Sequence, residues 1–568
     1  MTYDINIDTR KKYIKNLAKT MNRDELESFV LSHAERAGID KFKDQAAREI
    51  VRMTDPDDVV PDIYSDFKPI VRDGILFLLN RLSSPRLVSI VVDQLLMKES
   101  TSVKERLIRL ACQVPTLHKL GQIIARNQNV KQSFRKWLIT LENSLHGTDI
   151  SSVREQIDAE IGKIIETYSI RTDNRILAEA SVGAVVPFTW SEPYTGRREV
   201  GIFKVLKPGV KEKLKEELKI LEELALYFDK NRNNYSLKDF SFIETFRDVS
   251  VALREEINLS GEQSNLKKAS YFYNKEKSVR VPGVLPFSTE NITIMEYMKG
   301  SKITEAPMSK GGRKKGAKKL FKTLIWYPMF SRDEKTLFHG DPHAGNIYAF
   351  EEAKKNRDVN LALLDWSQAG VLSKNQRVNI FRLSFGIITG DKELIRDAIN
   401  ELSEGRCERQ KVVRVITDII TDRDYTGAQT VKKIFLFIDK AAIKGIRFPT
   451  NLLLFRKAFF TLEGVIYDLD PKFDMDSYVF KLIEGLFLEE LPKRWLYLLV
   501  PQSENSEHYK SLLSNTDLQM LVIRFFLKGF EKGTDALSAL VDKNTDFLTR
   551  LNYNMLSYLD NFTAKLYV

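Results

Sequence analysis

The chain has 568 residues, and its 43% apolar and 10% aromatic content is enough for large buried cores, which excludes a wholly disordered protein. Its 88 Lys and Arg exceed its 77 Asp and Glu by 11, an excess that suits anionic partners such as nucleotides, lipid headgroups or RNA without choosing among them. Two cysteines, Cys112 and Cys407, can build neither a disulfide framework nor a four-cysteine zinc site.

Targeting signals are weak along the whole sequence. The first residues contain Asp4 and Asp8 and no apolar core, which argues against a secretory signal peptide and a mitochondrial presequence. The strongest apolar stretches, 87–97 and 495–500, are too short to span a bilayer. We therefore expect a cytoplasmic protein that is at most peripheral to a membrane.

Helical periodicity dominates the first 165 residues, with helices predicted over 23–37 and 70–82. A β-rich run at 199–205 ends at the turn signal Lys207-Pro208-Gly209, and a long amphipathic helix follows. Beyond these lie an apolar-periodic stretch at 242–257 and two further strand-like runs at 279–284 and 292–298. The remainder is predicted to be helical except for two short strands at 346–350 and 361–365.

A cluster of basic residues lies between positions 310 and 322. Such a charge run is usually the solvated surface of a loop and a helix start, and the alternative is contact with anionic lipid or phosphate. Its members are Lys310, Arg313, Lys314, Lys315, Lys318, Lys319 and Lys322.

The most informative segment is LFHGDPHAGNIYAF at 337–350, in which Asn346 follows Asp341 by five residues. Protein kinases use the same spacing in H-R-D-x-x-x-x-N, where the Asp orients or deprotonates the acceptor and the Asn holds Mg²⁺. A solvent-exposed turn with incidental polar residues is the alternative. The apolar run 361–364 then delivers Asp365, which suits a second magnesium ligand because Mg²⁺ prefers oxygen donors.

Upstream, the run GIFKV places Lys204 inside an apolar strand, as V-A-I-K does in kinases. Lys204 either binds phosphate, with Glu256 or Glu262 as its partner, or alternates outward on a half-buried sheet. No glycine-rich phosphate motif precedes it. Small residues stand there instead and would let backbone N–H groups approach phosphates: Ala178, Ala180, Ser181, Gly183 and Ala184.

Together these motifs resemble the UbiB/AarF (ADCK-type) atypical kinase-like family over roughly 105–480. Its HGDPHPGN loop stands here at 339–346 with Ala344 in place of the second proline, and its KxGQ motif stands at 119–122. The remaining motifs are its alanine-rich loop, its E-x-D motif with a following glutamate, its hinge and a later helical segment: 178–181, 256–258 with Glu262, 295–300 and 456–474.

The resemblance implies an α+β fold with a two-lobed protein-kinase-like core, and it implies binding of ATP and Mg²⁺. It assigns Asp341, Lys204, Glu262 and Glu256 to catalysis, and the order of its motifs selects Glu262 over Glu256 as the ion-pair partner of Lys204. Lys119 and Gln122 would reach into the active-site cleft, the alternative being an exposed helix face. Asn346 and Asp365 would hold the metal. The nucleotide would be bound by the alanine-rich loop, Lys204 and two hinge residues, Glu296 and Met298.

The predicted regions are a helical N-terminal region, a KxGQ helical extension, a kinase-like N-lobe, a kinase-like C-lobe and a helical C-terminal tail: 1–104, 105–165, 166–300, 301–484 and 485–568. The family further implies ATPase or self-phosphorylating behaviour in support of quinone or isoprenoid-lipid metabolism, and so a possible contact with an anionic membrane or an isoprenoid lipid.

Three departures mark the chain as divergent: Asn258 replaces the acid of E-x-D, Trp366-Ser367 follow the metal Asp, and Ala184-Val185-Val186 follow the alanine-rich loop. A nucleotide-binding pseudokinase scaffold therefore stays open, as does a small-molecule phosphotransferase resembling aminoglycoside or choline kinases. A nucleic-acid partner is not expected, because no basic stripe interleaved with aromatic residues supports one.

Overall fold

In the computed structural model the chain divides into two compact units, Met1–Gln263 with Val284–Tyr297 and Ser264–Gly283 with Met298–Val568. The five regions predicted from the sequence stay predictions. The structure describes residues 13, 16–17, 20–54, 68–98, 100–117, 119, 148–179, 182–191, 196–235, 242–350, 359–483, 485 and 512–514.

The first unit combines helices with an antiparallel sheet. Two of its helices begin at capping boxes, Asn22 with Glu25 and Ser102 with Glu105, in which each side chain accepts a backbone N–H that would otherwise lack a partner. Its elements are α1 (Arg23–Ala37), α2 (Ile39–Thr54), α3 (Lys68–Arg81), α4 (Ser84–Leu96), α5 (Val103–Gln113), α6 (Ile150–Thr167), β1 (Arg171–Thr172), β2 (Ala178–Glu179), β3 (Gly183–Ser191), β4 (Arg198–Leu206), α7 (Val210–Lys230), α8 (Phe242–Glu256) and β6 (Ile292–Glu296).

The sheet of this unit has the order β1-β3-β4-β6, and β2 pairs with β3. On one face, Phe188 of β3 stacks on Phe203 of β4 with ring centroids 4.2 Å apart, and α6 covers them with Val153 and Ile157. Because side chains alternate along a strand, Lys204 lies on the opposite face from Phe203. The register Val185↔Lys204↔Thr293 fixes that position.

The long amphipathic helix predicted after the turn at Lys207-Pro208-Gly209 is α7. Gly209 stands just before it with φ of +67°, a left-handed conformation that glycine adopts at no steric cost. The apolar stripe of α7 packs against α8, and Phe228 stacks on Phe242 with ring centroids 5.0 Å apart. The apolar stretch 87–97 noted in the sequence forms most of α4 and is largely buried.

The second unit is also mixed. α9 (Leu259–Phe272) begins in the first unit and continues in the second, whose further elements are β5 (Val279–Arg280), β7 (Ser301–Lys302), α10 (Lys310–Phe321), a π-helical turn (Lys322–Trp326), α11 (Tyr327–Phe330), β8 (Lys335–His339), a 3₁₀ turn (Ala344–Asn346), β9 (Ile347–Phe350), β10 (Asn360–Leu363), β11 (Ala369–Ser373), α12 (Lys374–Thr389), α13 (Lys392–Leu402), α14 (Arg409–Ile420), α15 (Arg423–Thr426), α16 (Thr430–Ile443) and α17 (Thr450–Leu469).

Its strands form a sheet of order β5-β10-β9-β7 and a separate pair, β11-β8. The sequence predicted β9 and β10 but missed β7, β8 and β11, and it extended β5 beyond its two residues. The reason is physical: a run such as Thr336–His339, buried on both sides, has no alternating pattern to separate a strand from a helix.

The α+β prediction is confirmed by these mixed units. Among the described helices, none is long and apolar enough to cross a membrane.

Candidate functional site

Lys204 is anchored by the first of two ion pairs in the first unit. Its Nζ lies 2.6 Å from Glu262 Oε1, and the side chains are 19% and 1% exposed. The alternative of a lysine alternating outward into solvent therefore does not hold. Of the two candidate partners, the structure pairs Lys204 with Glu262, as the family resemblance predicted.

Glu262 is positioned by the start of α9. Asn258 Oδ1 accepts a hydrogen bond from Gly261 N at 2.9 Å, and Glu262 N donates to Asn258 O at 3.1 Å. Asn and Asp cap helices about equally well, so this departure from E-x-D keeps the cap. A side chain at Gly261 would collide with that cap, because an added Cβ would lie 2.6 Å from Asn258 Nδ2.

Glu256, at the end of α8, forms the second ion pair with Lys119. The Lys119 side chain is only 5% exposed, so it does not lie on an exposed helix face. Gln122, its companion in the KxGQ motif, lies outside the described residues. Glu256 and Glu262 of the EEINLSGEQSN segment thus hold two different lysines.

The alanine-rich loop is described in part. Ala178 lies in β2 and Gly183 begins β3, where an added Cβ would be 3.0 Å from Val205 O. Ala180 and Ser181 lie outside the described residues. Glu179 Oε1 lies 2.8 Å from Lys207 Nζ, which ties the stem of the loop to the end of β4.

The two predicted hinge residues belong to different units. Glu296 ends β6, where it is opposite Gly201 of β4. Met298 is buried in the second unit with Phe350 and Ala362. Gly300 follows, and there an added Cβ would lie 2.4 Å from Ala349 O, so only glycine fits beside β9.

In the second unit, His339 connects the loop that carries Asp341 to the loop that carries Asp365. Its Nε2 donates to Leu364 O at 2.9 Å, and its Nδ1 accepts from Asp341 N at 3.2 Å, which requires the tautomer with the proton on Nε2. Burial lowers the pKa of His339, so the ring is neutral and connects the two loops by hydrogen bonds alone.

Asp341 and Asn346 are both buried at 8% exposure. Asn346 Nδ2 donates to Asp341 O at 3.1 Å, which orients the amide and turns its Oδ1 the other way. Leu364 N donates to Asn346 O at 2.8 Å, just after the last strand pair, Leu363↔Ile347. Asp365 is the next residue after Leu364 and therefore lies close to Asn346.

Asp365 has φ of +49°, a left-handed conformation that is uncommon for residues other than glycine. Its Oδ1 accepts from Ser367 N at 3.2 Å. Such strain occurs preferentially at functional sites, where the surrounding structure enforces it. Here Trp366 provides the anchor: it is fully buried, its Nε1 donates to Leu363 O, and its ring lies 4.7 Å from that of His339.

The donor set fits Mg²⁺ held together with a nucleotide. One carboxylate and one amide oxygen are hard oxygen ligands, and Mg²⁺ commonly takes one or two protein ligands plus substrate phosphates. Within the described part of the chain there is no group of three or more His, Cys, Asp and Glu that would hold a metal by itself. Asp365 and Asn346 are therefore the residues that would hold it.

Sequence reasoning missed Lys457, on α17. Its Nζ donates to Gln368 Oε1 at 2.8 Å, while Gln368 O accepts from Gly340 N at 2.8 Å. An added Cβ at Gly340 would lie 2.9 Å from Gln368 O, which explains the glycine before Asp341. The positive charge of Lys457 also contributes to the lowered pKa of His339. A lysine in a helical segment so far along the chain offers no local signal of this contact.

Comparisons with known proteins show which proteins this chain is similar to. A profile of the ABC1 atypical kinase-like domain matches residues 140–399. The chain is 23% identical to probable protein kinase UbiB of Xylella fastidiosa (strain M12) over 401 residues, 69% of this chain and 70% of that protein. It is 24% identical to ACTIVITY OF BC1 COMPLEX KINASE 7, chloroplastic, of Arabidopsis thaliana over 373 residues, 63% of this chain and 51% of that protein.

A solved complex of Rv3197 with erythromycin from Mycobacterium tuberculosis aligns with a TM-score of 0.38 and 17% identity, covering 64% of this chain and 91% of that one. The profile match contains both ion-paired glutamates, Lys204 and the Asp341–Asp365 segment. Residues 140–399 are therefore an atypical kinase-like domain. The match to the ABC1 atypical kinase-like domain and the similarity to probable protein kinase UbiB confirm the predicted resemblance.

Acid should destabilise the protein through His339. Because burial depresses its folded-state pKa, its contribution to stability is present above the unfolded value of about 6.5 and is lost as the pH falls through the folded-state pKa. We expect the urea midpoint of the wild type to fall between about pH 7.5 and 5.5 by more than that of His339→Gln, which cannot take up the proton.

The matched control is His33→Gln, at an exposed position of α1, whose midpoint should follow that of the wild type. Equal losses in the wild type and in His339→Gln would show that this ring does not titrate on unfolding.

Proposed function

We propose that this protein binds Mg²⁺-ATP and acts as an atypical kinase or ATPase of the UbiB type. The observation that carries the proposal is the hydrogen-bonded group formed by His339, Asp341, Asn346 and the Leu364–Asp365 segment. Phosphoryl transfer requires little covalent chemistry from a protein and depends on positioning and charge, and this group supplies both through side chains that are hydrogen-bonded into one network.

Each residue has a role in this proposal. Lys204, held by Glu262, binds nucleotide phosphate, and Asp341 orients the acceptor and accepts its proton. Mg²⁺ on Asn346 and Asp365 would neutralise charge on the phosphates. Lys457 is a positioning residue, because it holds the side chain of Gln368, whose backbone O accepts the hydrogen bond from Gly340 N.

The departure at Asn258 does not favour a scaffold without turnover. Its side chain caps α9, a role that needs no charge, so the loss of an acid there leaves the Lys204–Glu262 pair in place. We therefore prefer turnover to the pseudokinase alternative. The biological setting that we propose is quinone or isoprenoid-lipid metabolism, which rests on the family relationship alone.

For contact with a membrane, we propose the outward face of α10 as the surface. Its inward side chains Ala317, Leu320 and Phe321 are buried. Lys314 and Lys315 of α10 and Lys322, the first residue after it, are exposed, and Lys318 lies over the ring of Tyr478. Clusters of four to eight basic residues on a helix are typical of binding to anionic lipid. Lysine, a compact point charge, suits a diffuse anionic surface better than one defined phosphate.

The magnesium assignment is tested by nucleotide-dependent stabilisation. ATP at about 100 times its dissociation constant adds roughly 2.7 kcal/mol to the free energy of unfolding, or about 5–10 °C in the thermal midpoint of a 150–250-residue domain. Asp365→Asn should lose most of the Mg²⁺-dependent part, and it keeps a residue that tolerates the left-handed backbone. Asp341→Asn should keep the shift and lose turnover.

The matched control is Asp397→Asn, at an exposed position of α13, which should keep both the shift and the turnover. A full Mg²⁺-ATP shift in Asp365→Asn would refute the assignment. A wild-type shift without turnover on any acceptor or membrane would support the scaffold instead.

Lys457→Met should lower turnover roughly ten- to a hundredfold, because the loop before Asp341 loses its support, while ATP affinity stays within about twofold. Steady-state kinetics and direct nucleotide binding measure the two effects separately. Lys444→Met, at an exposed lysine on the end of α16, is the control. Equal losses of affinity and turnover would assign Lys457 to nucleotide binding.

The surface on α10 is tested with the triple variant Lys314→Glu/Lys315→Glu/Lys322→Glu. Each basic residue near an anionic membrane contributes about 1 kcal/mol, so partitioning onto vesicles with phosphatidylserine should fall at least a hundredfold and should weaken with salt. Lys335→Glu/Lys392→Glu/Lys472→Glu changes three exposed lysines elsewhere in the same unit. Equal partitioning of the two triple variants would contradict the proposal. So would wild-type protein that binds neutral vesicles as tightly as vesicles with phosphatidylserine.

A further inference from the structure

A carboxylate is buried in the apolar face of α7. Glu217 is fully buried, although the neighbouring positions on that face are the core residues Leu214, Leu218 and Leu221. A buried charge is costly unless hydrogen bonds and an opposite charge compensate it. Glu217 has both, and its partners come from two distant parts of the chain.

The partners of Glu217 are Arg86 and Thr116. Arg86 Nη2, from α4, lies 2.5 Å from Glu217 Oε1. Thr116 donates twice to Glu217 Oε2, from its backbone N at 2.9 Å and from its Oγ1 at 2.8 Å, across 101 residues of sequence. Burial raises the pKa of Glu217, whereas Arg86 and Thr116 favour its charged form.

Arg86 fixes the same segment from its other side. Its Nη2 also donates to Gln113 O at 3.1 Å, and its Nη1 donates to Glu216 Oε2 at 3.1 Å. The residues just after α5 are therefore clamped between α4 and α7. Glu216 contacts Arg86 and the backbone N of Ser83, whereas Glu217 contacts Arg86 and Thr116.

Lys119 follows Thr116 by three residues, and its buried Nζ pairs with Glu256 at the end of α8. Two residues beyond Glu256, Asn258 caps α9, which carries Glu262 and so holds Lys204. Every contact in this series lies within the first unit. The contacts of Glu217 with Thr116 and Arg86 therefore position the segment that carries Lys119. Lys119 pairs with Glu256, the last residue of α8, and α8 is followed by the helix that carries Glu262.

We propose that Glu217 and Thr116 are positioning residues for Lys119, and that the N-terminal helices thereby influence nucleotide binding. The inference rests on the proposed function. Apolar side chains at these positions would stabilise the core at least as well, but hydrogen bonds fix the segment in one geometry. If the segment loosens, the Lys119–Glu256 ion pair weakens, and the negative charge of Glu256 beside α9 then disfavours a bound triphosphate more strongly.

The test compares Thr116→Val, which removes the hydroxyl donor and keeps the backbone donor, with Thr116→Ser, which restores the hydroxyl. We expect Thr116→Val to weaken direct Mg²⁺-ATP binding roughly three- to tenfold, and Thr116→Ser to stay within about twofold of the wild type. Glu217→Gln should resemble Thr116→Val. Glu216→Gln, which also loses a contact with Arg86, is the matched control and should bind like the wild type.

A double-mutant cycle shows whether the effect passes through Lys119. In a Lys119→Met background, Thr116→Val should change the ATP dissociation constant by less than about twofold, because the group that it positions is gone. The same three- to tenfold loss in both backgrounds would overturn the inference and assign Thr116 to general stability. If Glu217→Gln does not fold, the two Thr116 variants carry the test.

Hydrogen exchange separates this inference from the proposed function. Without nucleotide, peptides covering 253–262 should exchange faster in Thr116→Val than in the wild type, and Glu216→Gln should leave them unchanged. Unchanged exchange there in Thr116→Val would overturn the positioning role even if ATP binds. Faster exchange in a protein that binds no ATP would keep the coupling and refute the proposed function.

Discussion

The pairing of buried charges is the constraint on which the first unit depends. A lysine and a glutamate are each costly to bury alone, and pairing the two charges offsets that cost. Lys204 and Glu262 satisfy this requirement at 2.6 Å. The register of β4 positions Lys204, and the cap of α9 by Asn258 positions Glu262. The sheet and the helix thus both contribute to this ion pair.

The second unit solves a related problem with a neutral group. His339 is buried, its pKa is lowered, and both ring nitrogens are used, one toward Leu364 O and one toward Asp341 N. A charged imidazolium at this position would lose the acceptor on Nδ1 and would release the loop of Asp341. Burial therefore keeps the ring in the single state that connects the two loops.

Two departures from the family pattern have structural explanations. Asn258 replaces an acid but retains the oxygen that caps a helix. Trp366 follows Asp365 where the family has phenylalanine, and it is a fully buried core residue whose ring lies beside His339 and Tyr273. Both substitutions preserve the support of a functional residue while changing the residue that provides it. The contacts that position Asp365 and Glu262 are therefore present despite the divergence in sequence.

Short-range information in the sequence determined much of this protein. The helices 23–37 and 70–82, the strand that carries Lys204 and the five-residue spacing from Asp341 to Asn346 were predictable, because periodicity and turn chemistry act over a few residues. Tertiary structure alone decided that Glu256 pairs with Lys119, how Thr116 reaches Glu217, and that Lys457 supports Gly340. The strands β8 and β11 belong with these, since their pairing joins segments far apart in the chain. Partners at such separations leave no local pattern, and only packing selects among them.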